Sequence, residues 1–280
     1  MSTPEQRAHD VWPLWRRILF RFFFAYMLLQ LAPWTWFGAI PGVGFVNEYY
    51  RALTNWAVQT SNARLFHVRE TLVMVNGSGD TSWAWTQLWL YLSFAGIVCL
   101  IWSILDRKRR NYAPLDYWFR TFVRYYIATA ALSYGIIKLF AMQMSFPTQS
   151  QLSTPLGDLL PMRFSWLFIG YSTQYQIFSG AMETVAGLLL LYRRTVTIGL
   201  IAAAGAFLNV VMINLSYDVP VKLFAMHLLF SCILLLLMDF RRLFTFLVLN
   251  EPAPGTYAYD PPFTQTWSRR AHVAAKALMV

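Results

Sequence analysis

Charge is scarce in this 280-residue chain, where Asp, Glu, Lys and Arg together make up 13%. That is about half of what a soluble domain carries. Acid is scarcer than base, with 13 Asp and Glu against 23 Lys and Arg and a formal net charge of +10. Cysteine occurs twice, at Cys99 and Cys232, each alone inside an apolar run. Without a C-x-x-C pair or metal spacing, disulfide chemistry and cysteine-ligated metals are excluded, and each thiol reads as a small hydrophobe. What is abundant is apolar surface: 57% of residues are hydrophobic and 18% aromatic, with a mean hydropathy of +0.42. Disorder, which needs low hydrophobicity and high charge, is excluded. The basic residues fall in short clusters between apolar runs rather than along a stripe, so the positive charge does not read as a nucleic-acid surface. The pattern is that of an all-α, polytopic membrane protein.

A spanning helix needs roughly 20 mostly apolar residues. Six segments qualify: Ile18–Ala32, Trp85–Leu105, Phe119–Met142, Tyr175–Tyr192, Val196–Leu215 and Val221–Phe240. The first follows Arg16 and Arg17, with Arg21 within it, and resembles a signal peptide in length. Leu31-Ala32 runs into Pro33-Trp34 with no small-x-small cleavage site, so it is expected to be retained as a membrane helix. Arg16, Arg17 and Arg21, Arg107-Lys108-Arg109-Arg110, Arg193-Arg194 and Arg241-Arg242 share one side if every helix crosses. The positive-inside rule makes that side, with both termini, cytoplasmic, and the expected setting is a bacterial inner membrane.

Two long segments then face outward. In Pro33–Trp83, the stretch Val46–Val75 sets Tyr49, Leu53, Trp56, Leu65 and Val68 on a helical stripe, which suits a helix lying along the membrane surface. Trp34, Trp36, Trp56, Trp83 and Trp85 suit an interfacial belt. Gln143–Gln174, rich in Pro, Ser and Gln, reads as a loop folded over helix ends. Asn76-Gly77-Ser78 reads as a glycine turn in preference to a glycosylation sequon. The tail Asn250–Val280 leaves the membrane as an irregular Pro-containing linker; its basic end either rests on acidic lipid or is disordered. The expected organisation is an N-terminal helical hairpin over residues 1–111, a four-helix core over 112–245 and a cytoplasmic tail over 246–280.

Ionisable groups inside a bilayer are costly unless paired or hydrated, so each is a functional hypothesis. Lys138, Glu183, Asn209 and His227 stand in four different expected spans. At about 1.5 Å per residue, Glu183 lies roughly 12 Å inward of Tyr175, and Asn209 and His227 each about 9 Å from their outer helix ends. All four fall in the outer half of the membrane. Ser179, Gly180 and Gly187 share the face of Glu183, Tyr134 lies one turn from Lys138, and Ser231 shares a face with His227. These residues predict a polar pocket that opens outward beneath Gln143–Gln174, with Tyr171, Gln174 and Gln176 at its mouth. A Lys138–Glu183 ion pair that only locks two helices together, and polar residues that only cross-link helices, are the plainer alternatives. Asp218 and Lys222 are expected to pair at the outer boundary. Only His227 among the histidines lies within a span, so bis-histidine haem ligation is excluded, and no metal spacing or phosphate-binding motif is present.

Ser133-Tyr134-Gly135-Ile136-Ile137-Lys138-Leu139-Phe140 resembles the first-helix G-x-x-K-L pattern of DoxX-like membrane proteins. Phe178-Ser179-Gly180-Ala181-Met182-Glu183-Thr184-Val185-Ala186-Gly187, followed by leucines, is similar to their second-helix pattern, and Arg193-Arg194-Thr195 to the turn after it. The resemblance covers about Tyr112–Leu243. It implies the family's four-helix bundle and, through relatives in membrane redox complexes, an oxidoreductase component. The expected ligand is a quinone-like molecule, with Glu183 exchanging a proton beside Lys138, and His227 or Asn209 bonding a carbonyl near Tyr134. Electrons would come from a partner protein. The alternative is a non-enzymatic module that binds a lipid, a peptide or a membrane or extracytoplasmic partner.

Overall fold

The computed structural model describes residues 11–39, 42–74 and 79–253. Asn76-Gly77-Ser78 and most of the tail lie outside the described residues. Among those described the chain is helical, with no strand. It divides into two compact units between Val123 and Arg124, within the helix Ala113–Leu139.

The first unit begins with α1, Leu14–Leu31. Pro33 follows, and a proline cannot continue the ladder. Ala32 accordingly turns left-handed (φ 40°) and donates its N–H to the Leu28 carbonyl. A 3-10 turn over Pro33–Ala39 leads toward α2, Phe45–Ser61, which runs on as one π-turn over Asn62–Phe66. α3, Ser82–Leu105, starts at Thr81, whose hydroxyl accepts the Ala84 N–H. α4, Ala113–Leu139, begins in this unit. Phe20, Tyr26, Met27, Val58, Tyr91, Ala95, Tyr112 and Phe119 are buried in it. The Phe20 ring stacks on Tyr112 at 5.3 Å and meets Trp12 edge-on at 5.5 Å.

The surface stripe expected over Val46–Val75 is present over α2 and its extension. Tyr49, Leu53, Trp56 and Leu65 are exposed, while Thr54, Val58 and Ser61 on the other face are buried. Regular helix ends earlier than the stripe suggested. His67 is left-handed (φ 48°), and the Asn62 amide holds the chain that follows, donating to Arg69 O and accepting from Val68 N.

In the second unit, α4 ends at Leu139 and is followed by α5, Gln149–Leu152, a 3-10 turn at Leu156–Asp158 and α6, Pro161–Tyr171. The segment read as a loop therefore contains a helix of 11 residues with proline in its first turn, a position where proline costs no hydrogen bond. Next come α7, Thr173–Leu191; α8, Val196–Ser216; α9, Lys222–Met238; and α10, Phe240–Leu247. α8 packs against both α7 and α9. Thr195 closes the α7–α8 turn by donating to Leu189 O at 2.6 Å. The Asp218–Lys222 ion pair forms at 2.7 Å beside the α8–α9 turn.

Among the described residues, three helices are long and apolar enough to cross a membrane: Leu14–Trp36, Ser82–Leu105 and Val196–Ser216. A fourth results if α9 and α10, bent by 76° at their junction, form one broken span.

Candidate functional site

Lys138 and Glu183 form a buried ion pair, Lys138 Nζ donating to Glu183 Oε1, with 7% and 2% of the residues exposed. The sequence places them there through glycine. α4 and α7 run antiparallel at their contact, with Leu132 opposite Gly187, Gly135 opposite Thr184 and Leu139 opposite Gly180. A Cβ on Gly135 would stand 2.6 Å from the Thr184 nitrogen, and one on Gly180 would stand 2.7 Å from the Gly135 carbonyl oxygen. Only backbones without side chains approach so closely. Each charge follows its glycine by three residues, one helical turn, so the same contact that joins the backbones brings ammonium to carboxylate.

The carboxylate is only half used. Glu183 Oε2 is buried and receives no hydrogen bond from the described residues, and the Thr184 hydroxyl one residue on is likewise buried without a partner among them. A buried acceptor that lacks a donor costs about 1–3 kcal/mol, and more when charged. A hydrogen-bond donor brought to this corner would satisfy that oxygen.

The other predicted residues stand in several different places. Tyr134, one turn before Lys138, is partly exposed and packs on Phe224 of α9 at 5.8 Å. His227 on α9 turns Nδ1 back to the Leu223 carbonyl at 2.7 Å, which makes Nδ1 the protonated nitrogen, and Ser231 donates to His227 O at 2.6 Å. Asn209 is exposed on α8. The buried face of that helix runs through Gly199, Ala203, Phe207, Val211 and Asn214, so Asn214 is the enclosed amide, donating to Val221 O at 3.4 Å. Gln176 is 1% exposed and clamps the preceding segment: its Oε1 accepts from Met144 N, and its Nε2 donates to Met144 O, both at 2.8 Å. Gln174 is exposed.

A cleft with a cavity volume of about 560 Å³ opens in the segment Pro147–Tyr175, within the size range of small-molecule sites. Leu152, Leu156, Phe164, Phe168, Tyr171 and Tyr175 form much of its wall, and no charged residue lines it. Tyr171 was expected at a pocket mouth and is on this wall, whereas Lys138, Glu183, His227 and Asn209 are not. Two anchors hold the cleft in shape: the Gln176–Met144 clamp, and Gly170, where a Cβ would stand 2.5 Å from Ser145 O.

Sequence reasoning assigned Arg21 to a charge cluster and gave Arg124 no role, yet both are buried. Arg21 is 1% exposed, its Nε donating to Tyr112 Oη at 2.9 Å, one terminal nitrogen to Ser103 Oγ and the other to Asp106 O. Arg124 is 9% exposed, lies over the Tyr125 ring and has a buried Nε without an acceptor. The signal available was the helical period, which puts Arg21 one turn from Ala25 on the face that α1 buries. Among the described residues no group of His, Cys, Asp and Glu is arranged to hold a metal ion.

Among the described residues the chain is all-helical, with several helices long and apolar enough to cross a membrane, and that is the class it defines. The uncharacterized protein YwoB of Bacillus subtilis (strain 168) is similar to it, with 32% identity over 129 residues, 46% of this chain and 81% of YwoB. The chain belongs to the family of that protein. No protein-family model matches it. No solved structure matches either.

Proposed function

We propose that this chain is a six-span inner-membrane protein with both termini in the cytoplasm and a DoxX-like four-helix core. In this reading it serves as an oxidoreductase component that takes up a quinone-like molecule. α4 and α7 would be spans although they carry Lys138, Gln176 and Glu183, because these groups are withdrawn from lipid by pairing and burial. The observation that carries the reading is Glu183 itself, with Lys138 on one oxygen and no donor on the buried other. A carboxylate so placed can take up and release a proton as a neighbouring carbonyl gains or loses electrons. A partner protein supplies the electrons. The uncharged cleft at Tyr171 and Tyr175 offers the lipophilic molecule a place to enter.

The test is mass spectrometry of organic extracts from protein purified in mild detergent, wild type beside Glu183→Gln. A stoichiometric isoprenoid quinone in the wild type, reduced in a folded variant, is the expected result. Phospholipid alone in both would sink it.

The exposed stripe Tyr49, Leu53 and Trp56 favours a second reading, a non-enzymatic module that binds a lipid or an extracytoplasmic partner. Replacing the three with serine would remove partner capture under that reading and leave quinone content unchanged.

A further inference from the structure

Two basic clusters far apart in sequence come together at one end of the first unit. Arg17 on α1 donates through one terminal nitrogen to Arg109 O at 2.8 Å and to Arg107 O at 3.5 Å. Arg21, one turn on, donates to Asp106 O at 3.0 Å. The α1 arginines thus hold the carbonyls at and beyond the C-terminus of α3, where cations are favoured. The run Arg107-Lys108-Arg109-Arg110 is fixed beside Arg16 and Arg17 as a result.

Among the described residues, the nearby acids do not neutralise this end. Asp106 accepts from the Tyr112 hydroxyl at 2.9 Å and from Trp102 Nε1 at 3.4 Å, so its carboxylate is turned to the interior. Asp116 pairs with Arg120. Arg107, Lys108 and Arg110 are exposed and have no carboxylate partner among the described residues. Arg17 Nε is buried and has no acceptor among the described residues. In the helical turns nearest these cations, Leu14 and Ile18 on α1 and Ile104 and Leu105 on α3 are exposed. Cations at the end of two apolar helices match an amphiphile with an anionic head better than they match a soluble anion.

We propose that this end of the first unit binds the headgroup phosphate of an anionic phospholipid, with its acyl chains along the exposed leucine and isoleucine side chains. Arg107, Lys108 and Arg110, all exposed, attract the head and donate to its phosphate oxygens. The inference rests on α1 and α3 crossing the bilayer and is independent of any quinone chemistry. Each cation near an anionic lipid surface raises affinity about fivefold.

The test uses the full chain in nanodiscs of equal phosphatidylglycerol and phosphatidylcholine, with the lipids retained on release counted by native mass spectrometry. The wild type should keep phosphatidylglycerol over phosphatidylcholine by about tenfold or more. The variant Arg107→Gln, Lys108→Gln, Arg110→Gln should lose that preference. It leaves the fold's own bonds in place, because Arg17 and Arg21 hold backbone carbonyls of this segment and not its side chains. If the triple variant does not purify monodisperse, Arg107→Gln and Lys108→Gln singly carry the test, each lowering the preference severalfold. Equal retention of the two lipids by the wild type overturns the proposal, as does an unchanged preference in a folded variant. Displacement of the lipid by millimolar inorganic phosphate would assign the site to a free anion and overturn it as well.

Discussion

Lys138 and Glu183 each lie one turn beyond the glycine at which their helices touch, Gly135 and Gly180. The ion pair and the helix crossing are therefore one feature. Neither charge can be removed without stranding the other in a buried site. Breaking a buried pair from one side costs about 3–5 kcal/mol, whereas replacing both charges by apolar groups is often neutral. Lys138→Met and Glu183→Leu should each lower unfolding stability in detergent by that order, and the double variant should recover most of the loss. Single variants as stable as the wild type in a thermal or denaturant titration would show that the pair is not holding the crossing.

The glycines make a sharper test, because other helical glycines serve as controls. Gly135→Ala and Gly180→Ala each force a Cβ into backbone atoms of the opposite helix, at a cost of about 1–3 kcal/mol. Gly96→Ala and Gly205→Ala meet open space and should gain up to about 1 kcal/mol of helix propensity. Denaturant midpoints for the four variants check this. Equal shifts of one sign in all four would refute the close approach.

How the sequence exposed some of this and hid the rest follows from the kind of signal each feature leaves. α1, α3, α8 and α9 were legible because long apolar runs end at Pro33, at the Arg107 run, at Asp218 and near Arg241, and helix formation follows such runs. The Lys138–Glu183 pairing was legible because a charge in an apolar run has few ways to be tolerated. α6 was missed because Pro161 reads as a breaker, although the first turn of a helix accepts it. The bend at Asp239 was hidden too, since Asp239 and the Arg241-Arg242 pair mark where an apolar run ends and not the direction in which the next helix leaves. Asn209 and Asn214 could not be ranked by depth alone. Only the rotation of α8, set by packing against α7 and α9, decides which amide is enclosed.

Tyr112 gives a pH-dependent prediction at the basic end of the first unit. It lies just before α4, and burial pushes its phenol above the ordinary value of 10.0; the Arg21 guanidinium opposes that rise and Asp106 adds to it. A raised value means that the folded state holds the proton more tightly than the unfolded chain. Its contribution is then complete below pH 10 and is lost as pH rises beyond it. Tyr112→Phe removes hydrogen bonds to both Arg21 and Asp106, at about 1–3 kcal/mol near neutrality. The gap between wild type and variant should narrow above pH 10. Unfolding curves from pH 8 to pH 11 measure it, and a gap constant across that range would sink the argument.

The proposed topology makes a prediction that needs no ligand. Lys108 would stand on the cytoplasmic side, while Leu156, exposed in the segment between α4 and α7, would stand outside. The native thiols Cys99 and Cys232 are both buried, so labelling background should be low. In intact cells, a membrane-impermeant maleimide should modify Leu156→Cys and leave Lys108→Cys unmodified until the membrane is opened. The reverse pattern would turn the protein over, putting the basic end of the first unit outside and Glu183 in the inner half of the bilayer. Labelling of both would mean that α4 does not cross, and the six-span reading would fall with it.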